Sequence, residues 1–199
     1  MNILTVLRAG FGALLLSFAI AASAMAAPAP ANNRDPREDT YTPEEIAQKG
    51  ADFFGVATEA MAKAVERVFA KYGRPNAYIA GNEGSGAIVV GLRYGEGNLY
   101  MKREGAPVKV FWQGPSIGFD LGANASKVFT LVYNLPNPEA IFERFPGVEG
   151  SYYFIAGIGV NYQQSGRIIL APMRTGVGLR AAANVGYLSY SKERNWVPF

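Results

Sequence analysis

The sequence predicts a mainly β protein: a small antiparallel β-barrel, with an N-terminal amphipathic helix and a short helical insert. Three observations predict it. From residue 77 onward, short runs rich in β-branched and aromatic residues recur at regular spacing, punctuated by glycine or proline. Glycines fall inside those runs, at Gly91, Gly118, Gly157, Gly159, Gly178 and Gly186, as happens where a sheet bends sharply or another backbone comes close. The chain has no cysteine, so stability must come from packing and backbone pairing, and closing the sheet protects its edges.

The first residues read as a secretory signal. Arg8 is the only charge before an apolar run from Ala9 to Ala22, and Ala24-Met25-Ala26 forms an A-x-A site. The run is short for a membrane span, which needs about 20 apolar residues. Residues 1–26 are therefore expected to be a cleaved signal peptide, with the mature, exported chain starting at Ala27. Residues 27–41 are rich in alanine, proline and charge and read as a flexible linker.

A helix is expected over 42–73. Thr42-Pro43-Glu44-Glu45 is a capping box with proline at the first helical position and an acidic first turn. Phe53/Phe54, Ala57, Ala60/Met61, Ala64/Val65, Val68/Phe69 and Tyr72 follow in steps of three and four. Gly50 and Gly55 weaken the first half, where the helix is open to a break. Its polar face is mixed in sign, so it reads as a packing helix rather than a membrane-surface one.

The barrel domain is expected over 77–199. Strands are read at 86–92, 97–102, 107–112, 116–122, 126–133, 151–160, 167–172, 176–182 and 184–190. In VFWQGPSIGFDLG, residues 110–122, Gly114-Pro115 reads as the turn of a hairpin, with Trp112 near the barrel's end. PEAIFERF, residues 138–145, reads as two helical turns that plug or cap the sheet.

Composition excludes several chemistries. The chain has no histidine, which removes the commonest general base and metal ligand, and with cysteine absent too the Cys–His and Ser–His–Asp nucleophiles are ruled out. No phosphate loop or complete dinucleotide fingerprint is present, so no cofactor and no metal are expected. Asp120, Glu143 and Glu149 stand as isolated carboxylates, and the adjacent Ser126 and Lys127 would point to opposite faces of a strand. The net charge of +3 is spread along the chain, which argues against nucleic acid.

Arg93, Lys102, Lys109, Arg167, Arg174 and Arg180 recur on or beside strands. Outward they would be solvated; inward they would make the cavity cationic and suit a phosphate, a carboxylate or an acidic headgroup. The candidate ligand-binding set is Trp112, Phe119, Arg93, Lys102 and Arg174.

Tyr94-Gly95-Glu96-Gly97-Asn98-Leu99-Tyr100, then Trp112 to Gly122, then Lys127 to Asn134 resemble the SYLF family of lipid-binding domains. Those share a G-x-G before an apolar strand, a W-x-x-P strand, and a hydrophobic run ending in asparagine. The β-rich part as a whole, with the exported N-terminus and the TPEEI helix start, is more similar still to the EipA-like family of alphaproteobacterial periplasmic proteins. That resemblance implies a small periplasmic β-barrel of about eight strands, a role in envelope integrity and no known enzymatic activity. The SYLF likeness implies affinity for acidic lipids, although the basic amphipathic segment of some SYLF proteins is missing here. The expected partners are an acidic lipid or amphiphilic small molecule, envelope proteins, and the membrane surface by peripheral contact. Two other readings stay open: a transmembrane outer-membrane barrel, since the chain ends in Phe199, and a carboxylate-dependent envelope hydrolase.

Overall fold

In the computed structural model, residues 35, 37–86, 90–103, 105–117, 126–175 and 186–195 are described. The expected signal peptide, most of the expected linker, and Phe119, Asp120 and Arg180 lie outside them. The linker ends earlier than expected. Tyr41 is buried, and its ring meets Tyr78 edge-on at 5.3 Å.

Two helices stand where one was expected, α1 (Pro43–Phe54) and α2 (Thr58–Tyr72). The capping box forms as read: the Glu45 amide donates to Thr42 Oγ1, and the Thr42 amide donates to Glu45 Oε2. The break comes at Gly55, whose φ of 73° ends α1 in the left-handed conformation that glycine adopts without strain. Gly50 stays within α1, against the Met61 side chain.

Among the described residues, ten strands form one antiparallel sheet: β1 (Ala77–Gly86), β2 (Val90–Met101), β3 (Val108–Ile117), β4 (Ser126–Tyr133), β5 (Arg144–Pro146), β6 (Tyr153–Ile155), β7 (Ile158–Val160), β8 (Gln163–Ser165), β9 (Ile168–Thr175) and β10 (Tyr187–Ser191). The order runs β5-β10-β3-β2-β1-β4-β9, and β9 pairs with both β7 and β8. The Gly147↔Gln163 bridge and the Val148 amide's 2.9 Å bond to the Tyr162 carbonyl then join the β5 side to the β8 side. The expected fold class is correct: the sheet curls into a small barrel, closed by this seam. The β6–β7 hairpin hangs on the outer half of β9 and is not part of the ring.

Several strand boundaries differ from expectation. Gly114-Pro115 is not a turn; both residues lie inside β3, opposite Arg93 and Leu92 of β2. The β10 ladder on the other side of β3 covers only Phe111 to Gln113, so Pro115 breaks none of its pairs. Of the run 86–92, Gly86 ends β1 and Val90 to Leu92 begin β2, while 87–89 lie outside the described residues; the run 97–102 falls in the same β2 as far as Met101. AYIAGNEGSG, which was not read as a strand, is β1. The run 151–160 is the β6–β7 hairpin, turning at Ala156 (φ 50°) and Gly157 (φ 84°). Only Pro138–Ile141 of PEAIFERF is helical, a single 3-10 turn, and Arg144–Pro146 then joins the sheet as β5.

Period-two alternation sorts the strands into two cores. Inward, Ala77, Ile79, Leu99, Val110, Trp112, Val132, Phe145, Leu170 and Leu188 fill the barrel, each at most 3% exposed. Outward, Tyr78, Phe129, Leu131, Tyr133, Ala171 and Met173 of β1, β4 and β9 are covered by Ile46, Phe54, Met61, Val65 and Val68 of the helices. Each large apolar side chain buried this way contributes about 1.5–3 kcal/mol before ordering costs. Elsewhere the outer face mixes Leu92, Tyr94 and Phe111, all part-exposed, with Asn82, Glu96, Asn98 and Lys109. The largely apolar interior, with helices over the face of β1, β4 and β9, departs from the polar interior of a membrane-spanning barrel. Among the described residues, no helix is long and apolar enough to cross a membrane.

Candidate functional site: a charged cluster inside the barrel

The inward positions change character toward the strand ends at Gly86, Ile117 and Thr175. Along β1 the inward series is Ala77, Ile79, Gly81, Glu83; along β9 it is Ile168, Leu170, Pro172, Arg174; on β2, Arg93. Glu83, Arg93 and Arg174 are 3%, 1% and 0% exposed. Arg174 clamps Glu83 with both arms: Nε donates to Oε1 at 2.5 Å and Nη2 to Oε2 at 3.1 Å. Its remaining Nη1 donates to Asn161 Oδ1 at 2.9 Å. The Trp112 indole donates to Glu83 Oε2 at 3.3 Å, and Arg93 Nε stands 3.9 Å from Oε1.

Burial alone would raise the Glu83 pKa. The charges of Arg174 and Arg93, with the hydrogen bonds from Arg174 and Trp112, outweigh it and hold the carboxyl below its ordinary value. Tyr190 packs beside the cluster and bonds to Thr130; burial pushes its hydroxyl well above the usual tyrosine range. The cluster is thus a buried carboxylate held between two guanidiniums, with Arg174 and Trp112 donating to its oxygens. No second carboxylate faces Glu83 among the buried described residues, and no group of metal-ligating side chains occurs among the described residues.

Glycines make the room. A Cβ on Gly95 would overlap the Trp112 ring, and one on Gly81 would strike both Trp112 and the β2 backbone. The indole therefore lies on a floor of bare backbone, in mid-barrel rather than near its end.

Of the expected site residues, the structure brings Arg93, Trp112 and Arg174 together. Lys102 does not join them. It sits just past β2, at the opposite end, where Nζ bonds Glu45 Oε1 at 2.6 Å and lies 5.0 Å over the Tyr41 ring. Its task is to tie α1 to the sheet. Glu83 and Asn161 were missed. Glu83 falls in register with Ala77 and Ile79 at period two, a signal hidden because 77–86 was not recognised as a strand.

These features define a class: a small barrel protein with a packed interior, a charged cluster toward one end, and no catalytic constellation among the described residues. More specifically, the chain belongs to the family described as envelope integrity protein A, whose pattern matches residues 39–199. It is also similar to a beta-barrel-like, uncharacterized protein from Brucella abortus, known from a crystal structure. The two are 49% identical, with a TM-score of 0.74, over 81% of this chain and 99% of that one. A search among curated proteins found no match. The family name ties the chain to the cell envelope and its integrity.

Proposed function

We propose that the protein is a non-enzymatic periplasmic component that supports envelope integrity by holding an amphiphile with an acidic headgroup at the charged end of its barrel. The observation that carries this reading is the placement of two arginines with Glu83 and Trp112 inside a mostly apolar barrel. Charges inside an apolar core are costly unless matched, and guanidiniums in that setting suit phosphate or carboxylate. The aromatic face of Trp112 offers contact for the apolar part of the same molecule. The opposite half of the barrel is filled by its own side chains, which favours a ligand that enters by its headgroup rather than an acyl chain swallowed whole.

Native mass spectrometry with solvent extraction, on protein purified from its own periplasm, tests this. An acidic amphiphile at near-stoichiometric amount, depleted in Arg93→Gln, is the expected result. A clean apo mass would move the role to structural support or protein contacts. Release by osmotic shock without detergent checks the periplasmic location.

A further inference from the structure

We propose that Phe154 is the apolar contact for the ligand assigned above: it holds a single alkyl chain outside the ring while the acidic headgroup sits with the arginines. The inference rests on that reading and adds the residue that selects the apolar part. The register carries it. Residues directly opposite in an antiparallel pair project to one face. Gly81 stands opposite Val128, Val128 opposite Arg174, Arg174 opposite Gly159, and Gly159 opposite Phe154. These five form one row on the face that lines the barrel. Tyr153 and Ile155 turn to the other face, onto the helix-covered core. Phe154 therefore shares a face with Arg174, two strands and roughly 10 Å away. Gly159, between them, has no side chain.

Exposure changes sharply along this row. Arg174 is 0% exposed and Phe154 57%, the highest among the large hydrophobic side chains of the described residues. The row thus passes from a buried cation to a solvent-facing aromatic within two strands. Packing sets the direction of the chain. Beyond the charged cluster, Ile79, Leu99, Val110 and Leu170 fill the barrel, so a headgroup held by Arg93 and Arg174 leaves no room for a tail further in. The tail runs outward instead, across the bare backbone of Gly159 and onto the Phe154 ring, while Trp112 meets the atoms next to the headgroup. The row is one side chain wide, which fits one free alkyl chain rather than the surface of a bilayer.

The test is calorimetric titration of the exported protein with butyl phosphate and with dodecyl phosphate, each kept below its micelle-forming concentration. The wild type is expected to bind the dodecyl ester more tightly. Phe154→Ser is expected to weaken dodecyl phosphate about tenfold and to leave butyl phosphate unchanged. Val148→Ser removes another exposed apolar side chain, at a position whose amide bonds the Tyr162 carbonyl and which lies off the row, and should bind both esters as the wild type does. Both variants alter exposed side chains, so their melting temperatures should stay near wild type. Arg93→Gln should weaken both esters alike, which tests the barrel reading separately. A wild type that binds neither ester would overturn that reading and this inference with it. Equal affinity for the two esters, or undiminished dodecyl phosphate binding by Phe154→Ser, would overturn this inference alone. So would binding to phosphatidylglycerol vesicles but not to the free dodecyl ester, or a dimer in sedimentation velocity that Phe154→Ser dissociates.

Discussion

At the scale of the residue, Trp112 and Glu83 set the terms for the barrel interior. The indole is 3% exposed, lies on Gly95 and Gly81, and donates to Glu83. Trp112→Ala is expected to cost about 3–5 kcal/mol. Gly95→Ala, which adds a single methyl under the ring, is expected to cost about 1–3 kcal/mol. Urea titrations of both variants check this, and a Gly95→Ala protein with an unchanged midpoint would show that the indole can shift. Glu83 makes stability depend on pH. Its folded value is depressed, so the unfolded chain takes up the proton first. The contribution is complete above the unfolded carboxylate range and is lost as pH falls through the lower folded value. The wild-type urea midpoint should therefore fall on acidification from about pH 7 to about pH 3, and the part due to this group should be missing in Glu83→Gln. At neutral pH that variant strands two guanidiniums and is expected to lose about 3–5 kcal/mol.

Among the elements, α1 is specified most locally. Glu45 closes the capping box through Oε2 and binds Lys102 through Oε1. Thr42→Ala removes the cap acceptor and is expected to cost about 1 kcal/mol, read from the thermal midpoint. The helix start and the Gly55 break were legible because both are short-range chemistry. The strands β2 and β3 were not legible as single strands. Glycine and proline inside them carry the local signature of turns, and only their place opposite partners makes them strand residues. The same holds for β1, whose SerGly-rich end reads as loop until its pairs with β2 and β4 are seen. PEAIFERF divides between a turn and β5 for a like reason: β10 supplies a pairing edge that no local preference reveals.

Across the whole molecule, closure concentrates at the seam between β5 and β8. Gln163 lies there fully buried, in register with the inward Leu170, and its side-chain amide makes no hydrogen bond among the described residues. Replacing it by an apolar side chain of similar shape removes a desolvated amide without losing a bond. Gln163→Met is therefore expected to raise stability by about 1 kcal/mol. A loss of stability in that variant, measured by urea denaturation, would mean that the amide has a partner in solution.

The sequence by itself determined the class of fold, the capped helix with its glycine break, strand β4 to the residue, the absence of histidine and cysteine chemistry, and the pattern that marks the family. Those are properties of composition and of neighbours a few positions apart. Tertiary structure decided which cations turn inward. Arg93 and Arg174 are far apart in the chain and meet only because β2 and β9 both aim those positions at Glu83, whereas Lys102 is drawn to Glu45. It also decided that Trp112 faces bare glycine and that the β6–β7 hairpin stays outside the ring. Each of these depends on the register between strands distant in sequence, and a shift of one residue would turn every such side chain to the other face.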